Sequence, residues 1–236
     1  MKISILTLFP EMFAGPFEQS IIKRALEKHI VEIEYINIRD FGIGTHKMVD
    51  DTPYGGGVGM VLKVDVLHKA IEHAKETFVQ QFNNETMKQL VVLTSASGKT
   101  YKQQTAKRYS KLDHLILICG HYEGVDDRIT KYIDEEISVG DFIVTGGELP
   151  AMMITDSVVR LLEGAITKGA IEDESFSKDE HLLEYPHYTK PRSYDGQEVP
   201  EVLLNGNHQK ITTWRQEKSV EKTKLVRPDL LRISSK

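Results

Sequence analysis

Short apolar segments of strand length alternate along the first two thirds of the chain with segments whose apolar residues recur at helical spacing. The strand-length segments are residues 3–9, 31–38, 90–94, 115–119 and 137–144. The helical segments are residues 18–29, 64–82, 101–111, 126–132 and 150–162. This alternation predicts an α/β domain, residues 1–162, with a mostly parallel sheet covered by helices on both faces.

The last third of the chain has a different pattern. Residues 163–180 (EGAITKGAIEDESFSKDE) are polar, contain glycine and have weak periodicity, so they indicate a flexible linker. Residues 181–236 combine proline-containing turns with a helical stretch at 208–224. We therefore predict a small helical carboxyl-terminal domain.

Composition narrows the class of protein without identifying it. The 236 residues carry a net charge of −5 and include no apolar run long enough to cross a bilayer. The amino-terminal MKISILTLFP lacks a small-residue cleavage site and indicates a strand rather than a signal peptide, so we expect a cytoplasmic protein. The one cysteine, Cys119, excludes an internal disulfide and a zinc site built from cysteines, and its apolar neighbours predict burial in a strand.

Three glycine-bearing loops directly follow predicted strands: TSASGK at 94–99, CGHYEG at 119–124 and VTGGELP at 144–150. Loops at the carboxyl ends of parallel strands converge, so these segments predict one ligand site. Glycine allows a flat group to approach the backbone. Because none of the loops has the G-x-G-x-x-G or G-K-[ST] pattern, a dinucleotide or a triphosphate is disfavoured. The alternative is that these are ordinary turn glycines.

A fourth glycine-rich stretch, VDDTPYGGGVGM at 49–60, does not directly follow an apolar strand. Four glycines in five positions predict an irregular loop whose backbone approaches another group closely. A flexible connector would explain the glycines. It would not require Asp50, Asp51 and Tyr54 beside them, so we favour a functional loop.

Taken together, VDDTPYGGGVGM, CGHYEGVDDRI, ISVGDFIVTGGELPAM, EYPHYTKP, VPEVLLNGNH and ITTW resemble the bacterial tRNA (guanine-N1)-methyltransferase family of the SPOUT class. The resemblance extends from LTLFPEMF to RPDLL, almost the whole chain. It implies a parallel-sheet SPOUT domain in which the loops form a deep trefoil knot, followed by a helical tRNA-binding domain. Periodicity alone does not predict a knot, because knots are nearly absent from proteins.

The resemblance implies S-adenosylmethionine as the methyl donor, a ligand that needs close backbone contact and no phosphate-binding lysine. Its contacts carry over by motif to Thr94, Ser95, Ala96, Ser97, Gly98, Gly120, Tyr122, Glu123, Gly124, Val139, Gly140, Asp141, Phe142, Ile143, Val144, Gly146 and Gly147. The family also allows assistance by Mg²⁺, but the histidines show no metal-ligand spacing and we assign no metal site.

The family methylates N1 of guanosine at tRNA position 37, next to the anticodon. N1 carries a proton near neutral pH, so transfer needs a base to remove it and a donor to stabilise charge on O6. The family's catalytic arginine matches Arg160 in SVVRLLEG. In the family, the catalytic aspartate precedes the serine of a D-S-F segment. This chain has EDESF instead, so Glu174 occupies the position of that aspartate, and Asp173 is the alternative base. Near the target guanosine the resemblance places Asp50, Tyr54, Gly55, Gly56, Gly57 and Gly59.

Basic residues outnumber acidic ones from Pro186 onward, although the whole chain is acidic. The resemblance implies a homodimer whose active sites form between protomers and whose carboxyl-terminal regions bind tRNA. The cations that we place on phosphates are Lys190, Arg192, Lys210, Arg215 and Lys218. Trp214 could stack on a base, but a lone tryptophan in a small helical domain is more often part of the core, where we expect it.

Two other functions are consistent with parts of the sequence. Another SPOUT-class RNA methyltransferase would share the loops after the strands, but not VDDTPYGGGVGM or the acidic linker. A protein that binds S-adenosylmethionine or tRNA without catalysis would explain the missing aspartate and the negative charge.

Overall fold

The computed structural model describes residues 1–84, 86–167, 169–177 and 181–231. The chain divides into two compact units, Met1–Thr167 and Lys168–Lys236. The division falls inside the segment 163–180, for which the sequence predicts a linker. Across the described residues, every helix is too short or too polar to span a bilayer.

The first unit has an α/β architecture. Its strands are β1 (Lys2–Thr7), β2 (Glu32–Asn37), β3 (Asp50–Asp51), β4 (Val61–Leu62), β5 (Gln89–Thr100), β6 (His114–Cys119) and β7 (Glu135–Ser138). Its α-helices are α1 (Ser20–Glu27), α2 (Val64–Phe82), α3 (Gln103–Tyr109) and α4 (Glu148–Val159). Short 3-10 helices lie at Pro10–Phe13, Pro16–Glu18, Ile38–Phe41 and Asp127–Lys131.

Five strands of this unit form a parallel sheet in the order β2-β1-β6-β5-β7, while β3 and β4 pair antiparallel. The central strand β6 is buried along its whole length. Leu115 and Leu117 pack into a cluster with α4, and Ile116 and Ile118 pack into a second cluster with α2. The predicted α/β domain with a parallel sheet covered on both faces is therefore confirmed.

Three predicted elements were wrong in extent or type. The strand predicted at 90–94 extends to Thr100, so the predicted loop at 94–99 lies within β5. The strand predicted at 137–144 ends at Ser138. There the Ser138 hydroxyl oxygen accepts a hydrogen bond from the Gly140 N–H at 3.2 Å, and Gly140 has a φ of +152°, so the chain leaves the sheet. The helix predicted at 126–132 is the 3-10 helix Asp127–Lys131.

The second unit has one long helix and otherwise short elements. Its elements are the short strands β8 (Ser193–Tyr194) and β9 (Gln197–Glu198), the 3-10 helix Glu201–Leu203, α5 (His208–Val226) and α6 (Pro228–Leu231). The Asn207 side chain caps α5 by accepting a hydrogen bond from the Lys210 N–H at 3.1 Å.

Candidate cofactor and RNA sites

A cavity of about 480 Å³ lies at a break within β5 and beyond the carboxyl ends of β6 and β7. Its volume falls within the range of about 300–1,000 Å³ that is typical of small-molecule and cofactor sites. All three glycine-bearing loops line it. Every residue to which the resemblance assigned a cofactor contact is part of the lining, except Gly98 and Asp141.

A break in the pairing of β5 shapes one wall of the cavity. β5 pairs with β7 up to Thr94 and again from Lys99, so the residues between them leave the ladder. The Ser97 hydroxyl donates a hydrogen bond to a Glu136 carboxylate oxygen at 3.0 Å, which anchors this unpaired segment of β5 to β7. Gly98 packs on the opposite strand, since a Cβ added to it would approach the backbone of Ile137.

The three loops meet at Gly147, the residue before α4. Its N–H donates to the Gly120 carbonyl oxygen at 2.7 Å. A Cβ added to Gly147 would lie 2.6 Å from the Cys119 Cα and equally close to the Gly120 nitrogen, and it would clash with the Thr94 hydroxyl. Only glycine fits at this junction, which explains in physical terms why the VTGGELP segment carries a glycine pair.

The glycine-rich stretch at 49–60 packs on the CGHYEG loop at 119–124, which lines the cavity. Leu62 N–H donates to the Gly124 carbonyl at 3.0 Å, and Glu123 N–H donates to the Met60 carbonyl at 3.1 Å. Gly59 has a φ of +92°, and a Cβ there would lie 2.7 Å from a Glu123 carboxylate oxygen. The loop assigned to the target guanosine is thus attached to the loop assigned to the cofactor.

The tip of this glycine-rich stretch projects into solvent. The Tyr54 side chain is 99% exposed, and Gly55, Gly56 and Gly57 all have positive φ angles. Asp50 is half-buried in β3. A rigid attachment at one end and an exposed aromatic tip at the other suit a loop that contacts a large substrate.

Sequence reasoning did not assign several residues that line the cavity. His121, Thr145 and Pro150 lie inside the quoted CGHYEG and VTGGELP motifs, so their position was the available signal. Among the described residues, His121 Nδ1 is buried and has no hydrogen-bond partner. Its ring packs on Phe9, with centroids 5.0 Å apart.

The predicted catalytic residues are distributed over both units. Arg160 is the C-cap residue of α4, at the end of the helix that starts at the cavity. Asp173 and Glu174 belong to the second unit, where they line a separate cavity of about 280 Å³. Glu172 and Arg215 line that cavity as well, an arrangement that the sequence did not predict.

The five predicted phosphate-binding cations have different surroundings. Lys190, Arg192 and Lys210 are exposed. Lys218 donates to a Glu221 carboxylate oxygen at 2.6 Å. Arg215 is half-buried and its guanidinium lies over the Tyr185 ring, 4.7 Å from the centroid, which makes it the least available of the five for a phosphate.

Cys119 is fully buried in β6, as predicted. Burial raises the pKa of its thiol well above the ordinary value, and the Glu148 carboxylate adds to this effect. A thiol that stays protonated is a poor nucleophile, so Cys119 has a structural role.

Comparison with known proteins identifies the family. Residues 1–233 match the family model described as tRNA (Guanine-1)-methyltransferase TrmD. A tRNA (guanine-N(1)-)-methyltransferase of Carboxydothermus hydrogenoformans is 52% identical over 99% of this chain and 88% of its own length. A relative of the same name from Malacoplasma penetrans is 50% identical over 98% of this chain and 96% of its own length. The chain therefore belongs to the tRNA (guanine-N1)-methyltransferase family.

Proposed function

We propose that this protein transfers the methyl group of S-adenosylmethionine to N1 of guanosine at position 37 of tRNA, next to the anticodon. The observation that carries the proposal is the near full-length match to tRNA (guanine-N1)-methyltransferases, in a chain whose glycine-bearing loops line one cavity. Methylation of N1 of a tRNA guanine follows from the family. The position of that guanosine, the roles of individual residues and the oligomeric state are part of the proposal.

The cavity fits S-adenosylmethionine. Glycines at 120, 146 and 147 in its lining allow the loops around it to pack closely. The lining adds no lysine or arginine, which agrees with a ligand that lacks phosphates. When bound, the cofactor supplies an electrophilic methyl group on a sulfonium.

The trefoil knot implied by the resemblance belongs to the same proposal. It is supported by the junction at Gly147, where the segment after β7 approaches Thr94 of β5 and the end of β6 too closely for any side chain.

The chemistry assigned to this chain is proton removal and charge stabilisation. We propose that Glu174, or Asp173 beside it, removes the N1 proton, and that the Arg160 guanidinium stabilises negative charge on O6. A positioned base contributes about 10²- to 10⁴-fold in rate. The guanosine must leave its stack to be reached, and we propose that Asp50 and the loop Tyr54–Gly59 receive it.

Magnesium remains an expectation from the family. Within the part of the chain that the structure describes, no group of three or more His, Cys, Asp or Glu side chains is placed to hold a metal ion. We therefore assign no metal site.

We also propose that the protein acts as a homodimer whose active sites combine residues of two protomers. Exposed apolar side chains beside the cavity support a protein-binding surface. Leu149 and Met153, one turn apart on α4, are 47% and 55% exposed, and Phe142 and Ile143 on the preceding loop are 55% and 84% exposed. Such a patch next to the cofactor loops suits an interface that completes the site.

The test is methyl transfer from labelled S-adenosylmethionine to a tRNA transcript with guanosine at position 37. The control transcript differs only in carrying adenosine there. We expect label in the first transcript alone, recovered after digestion as 1-methylguanosine. Equal labelling of both would place the target elsewhere, and labelling of neither would favour a non-catalytic binding protein.

A further inference from the structure

The second unit contains an aromatic pocket that the proposed function does not use. It has a volume of about 210 Å³, less than half that of the cofactor cavity. The residues that line it are Tyr185, Pro186, His187, Tyr188, Leu203, Ile211, Trp214 and Arg215. Contrary to the expectation from sequence, Trp214 is only half-buried, in the wall of this pocket.

Two aromatic side chains of the pocket, Tyr188 and Trp214, do not occupy each other's faces, whereas the Arg215 guanidinium lies over the Tyr185 ring. The rings of Tyr188 and Trp214 have centroids 6.3 Å apart at an interplanar angle of 55°, so neither ring covers the other. Tyr188 is 49% exposed. Ring faces that are neither buried in a core nor stacked on one another are available to a flat ligand.

Basic side chains lie near this pocket, and one of them, Lys218, is paired with Glu221. Lys210 and Lys218 lie one helical turn on either side of Trp214 along α5. The Lys218 ammonium donates a hydrogen bond to a Glu221 carboxylate oxygen at 2.6 Å, which raises its pKa. Arg215 is part of the lining itself, and among the described residues its buried Nε has no hydrogen-bond partner.

We infer that the aromatic pocket binds an unpaired nucleobase of the RNA substrate. This inference rests on the proposed function, because it requires the protein to bind tRNA. Aromatic side chains that stack on a base, beside cations that contact the neighbouring phosphates, are the usual means of holding single-stranded nucleic acid. An aliphatic ligand would make no use of the exposed ring faces or of the Arg215 guanidinium in the lining.

The pocket provides its own spectroscopic probe, because Trp214 is the only tryptophan in the chain. A base that stacks beside the indole quenches its fluorescence. Titration of the wild-type protein with tRNA should therefore quench the emission in a saturable way. Heparin, which supplies anionic charge without bases, should bind but leave most of the emission.

Substitution of Tyr188 tests the pocket without removing the probe. Tyr188→Ala should weaken tRNA binding by on the order of 5- to 150-fold, the range that loss of one stacking partner produces. It should leave the affinity for heparin and for S-adenosylmethionine unchanged, whereas a folding defect would lower all three. Tyr194→Ala is the matched control, since Tyr194 is 76% exposed in the same unit and does not line the pocket.

Different outcomes overturn the inference and the proposed function. If wild-type protein methylates tRNA while Tyr188→Ala and Tyr194→Ala bind tRNA equally well, the pocket is not a base site although the function stands. Equal quenching of the Trp214 emission by heparin and by tRNA would also overturn the inference that the pocket binds a base. An emission change that depends on protein concentration without RNA would assign the pocket to a second copy of the chain. If wild-type protein transfers no methyl group to tRNA, the proposed function itself fails.

Discussion

The two compact units differ in how their side chains are buried. The first unit encloses an apolar cluster on each face of its sheet, and side chains such as Leu117 are completely buried. In the described part of the second unit, the buried residues are Ser219 and Thr223, both polar, and Leu225 is 82% exposed. The first unit therefore has its own core, whereas the second presents apolar and charged surface to partners. The cofactor cavity lies in the first unit, and the surfaces that we propose for RNA lie mainly in the second.

The largest expected effect is on the rate of methyl transfer. Glu174→Gln removes the proposed base of the second unit without changing its shape and should lower kcat by about 10²- to 10⁴-fold. Asp173→Asn and Glu172→Gln are the matched controls, because both residues line the same cavity. Single-turnover kinetics at saturating tRNA measure the effect. If Asp173→Asn has the larger effect, the base is Asp173, and if neither variant is slowed, the base lies elsewhere.

The difference in burial predicts unequal effects of matched leucine substitutions on stability. Leu117→Ala should lower the free energy of unfolding by about 2–5 kcal/mol, because it removes a fully buried side chain. Leu225→Ala should change it by less than about 0.5 kcal/mol, as is usual at exposed positions. Denaturant unfolding of dilute protein measures both. A cost at Leu225 that grows with protein concentration would show that a second protomer covers it.

The junction of the cofactor loops predicts a further contrast between the units. Gly147→Ala should cost about 3 kcal/mol of stability or displace the loops, since its Cβ would meet backbone atoms at 2.6 Å. Gly206→Ala is the control: its φ is +69° and nothing lies within 4 Å, so it should cost about 1–2 kcal/mol through backbone strain alone. Calorimetric titration with S-adenosylmethionine should show weakened binding only for Gly147→Ala. Equal cofactor affinities in both variants would exclude the junction from the site.

The last prediction concerns the dependence of stability on pH. His114 is fully buried in β6, and burial, with a smaller contribution from Lys2, lowers its pKa from 6.5 to about 4. Between these values the unfolded chain binds a proton that the folded chain does not. The stabilisation is therefore complete above pH 6.5 and is lost as the pH falls towards 4, by about 3 kcal/mol.

Denaturant unfolding at a series of pH values measures this dependence. His114→Gln should flatten it between pH 4 and 6.5, because the titrating group is gone. The exposed His46→Gln variant is the control for loss of a histidine. An unchanged slope in His114→Gln would show that other groups cause the acid sensitivity.

Hydrophobic periodicity was sufficient to predict the parallel sheet and the helix at 64–82, because both depend on local patterns. It was wrong at 139–144, where apolar residues line a cavity instead of a strand and Gly140 adopts a conformation that sequence patterns do not reveal. The convergence of the glycine loops was predictable from their positions after strands. The tight junction at Gly147 was not, because it depends on three segments that are distant in sequence.

In the second unit, fewer structural features could be predicted from the sequence. The basic residues and the single tryptophan could be recognised as candidates from the sequence. Whether each is buried or exposed depends on tertiary packing. Arg215 looked like a phosphate ligand and packs on Tyr185, while Trp214 looked like a core residue and lines an open pocket. Long amphipathic side chains are difficult to assign in this way because their stems and their polar ends prefer different surroundings.

The central claim is that the cofactor cavity of one protomer works with the acidic residues of another. The most direct test is co-expression of Arg160→Ala and Glu174→Gln chains with different affinity tags, followed by methyl-transfer assays of purified mixed dimers. If the two residues act from different protomers, each mixed dimer has one intact site, and an unfractionated statistical mixture should recover about one quarter of wild-type activity. If both residues act within one protomer, no intact site can form, and mixed dimers as inactive as the single variants would contradict the account.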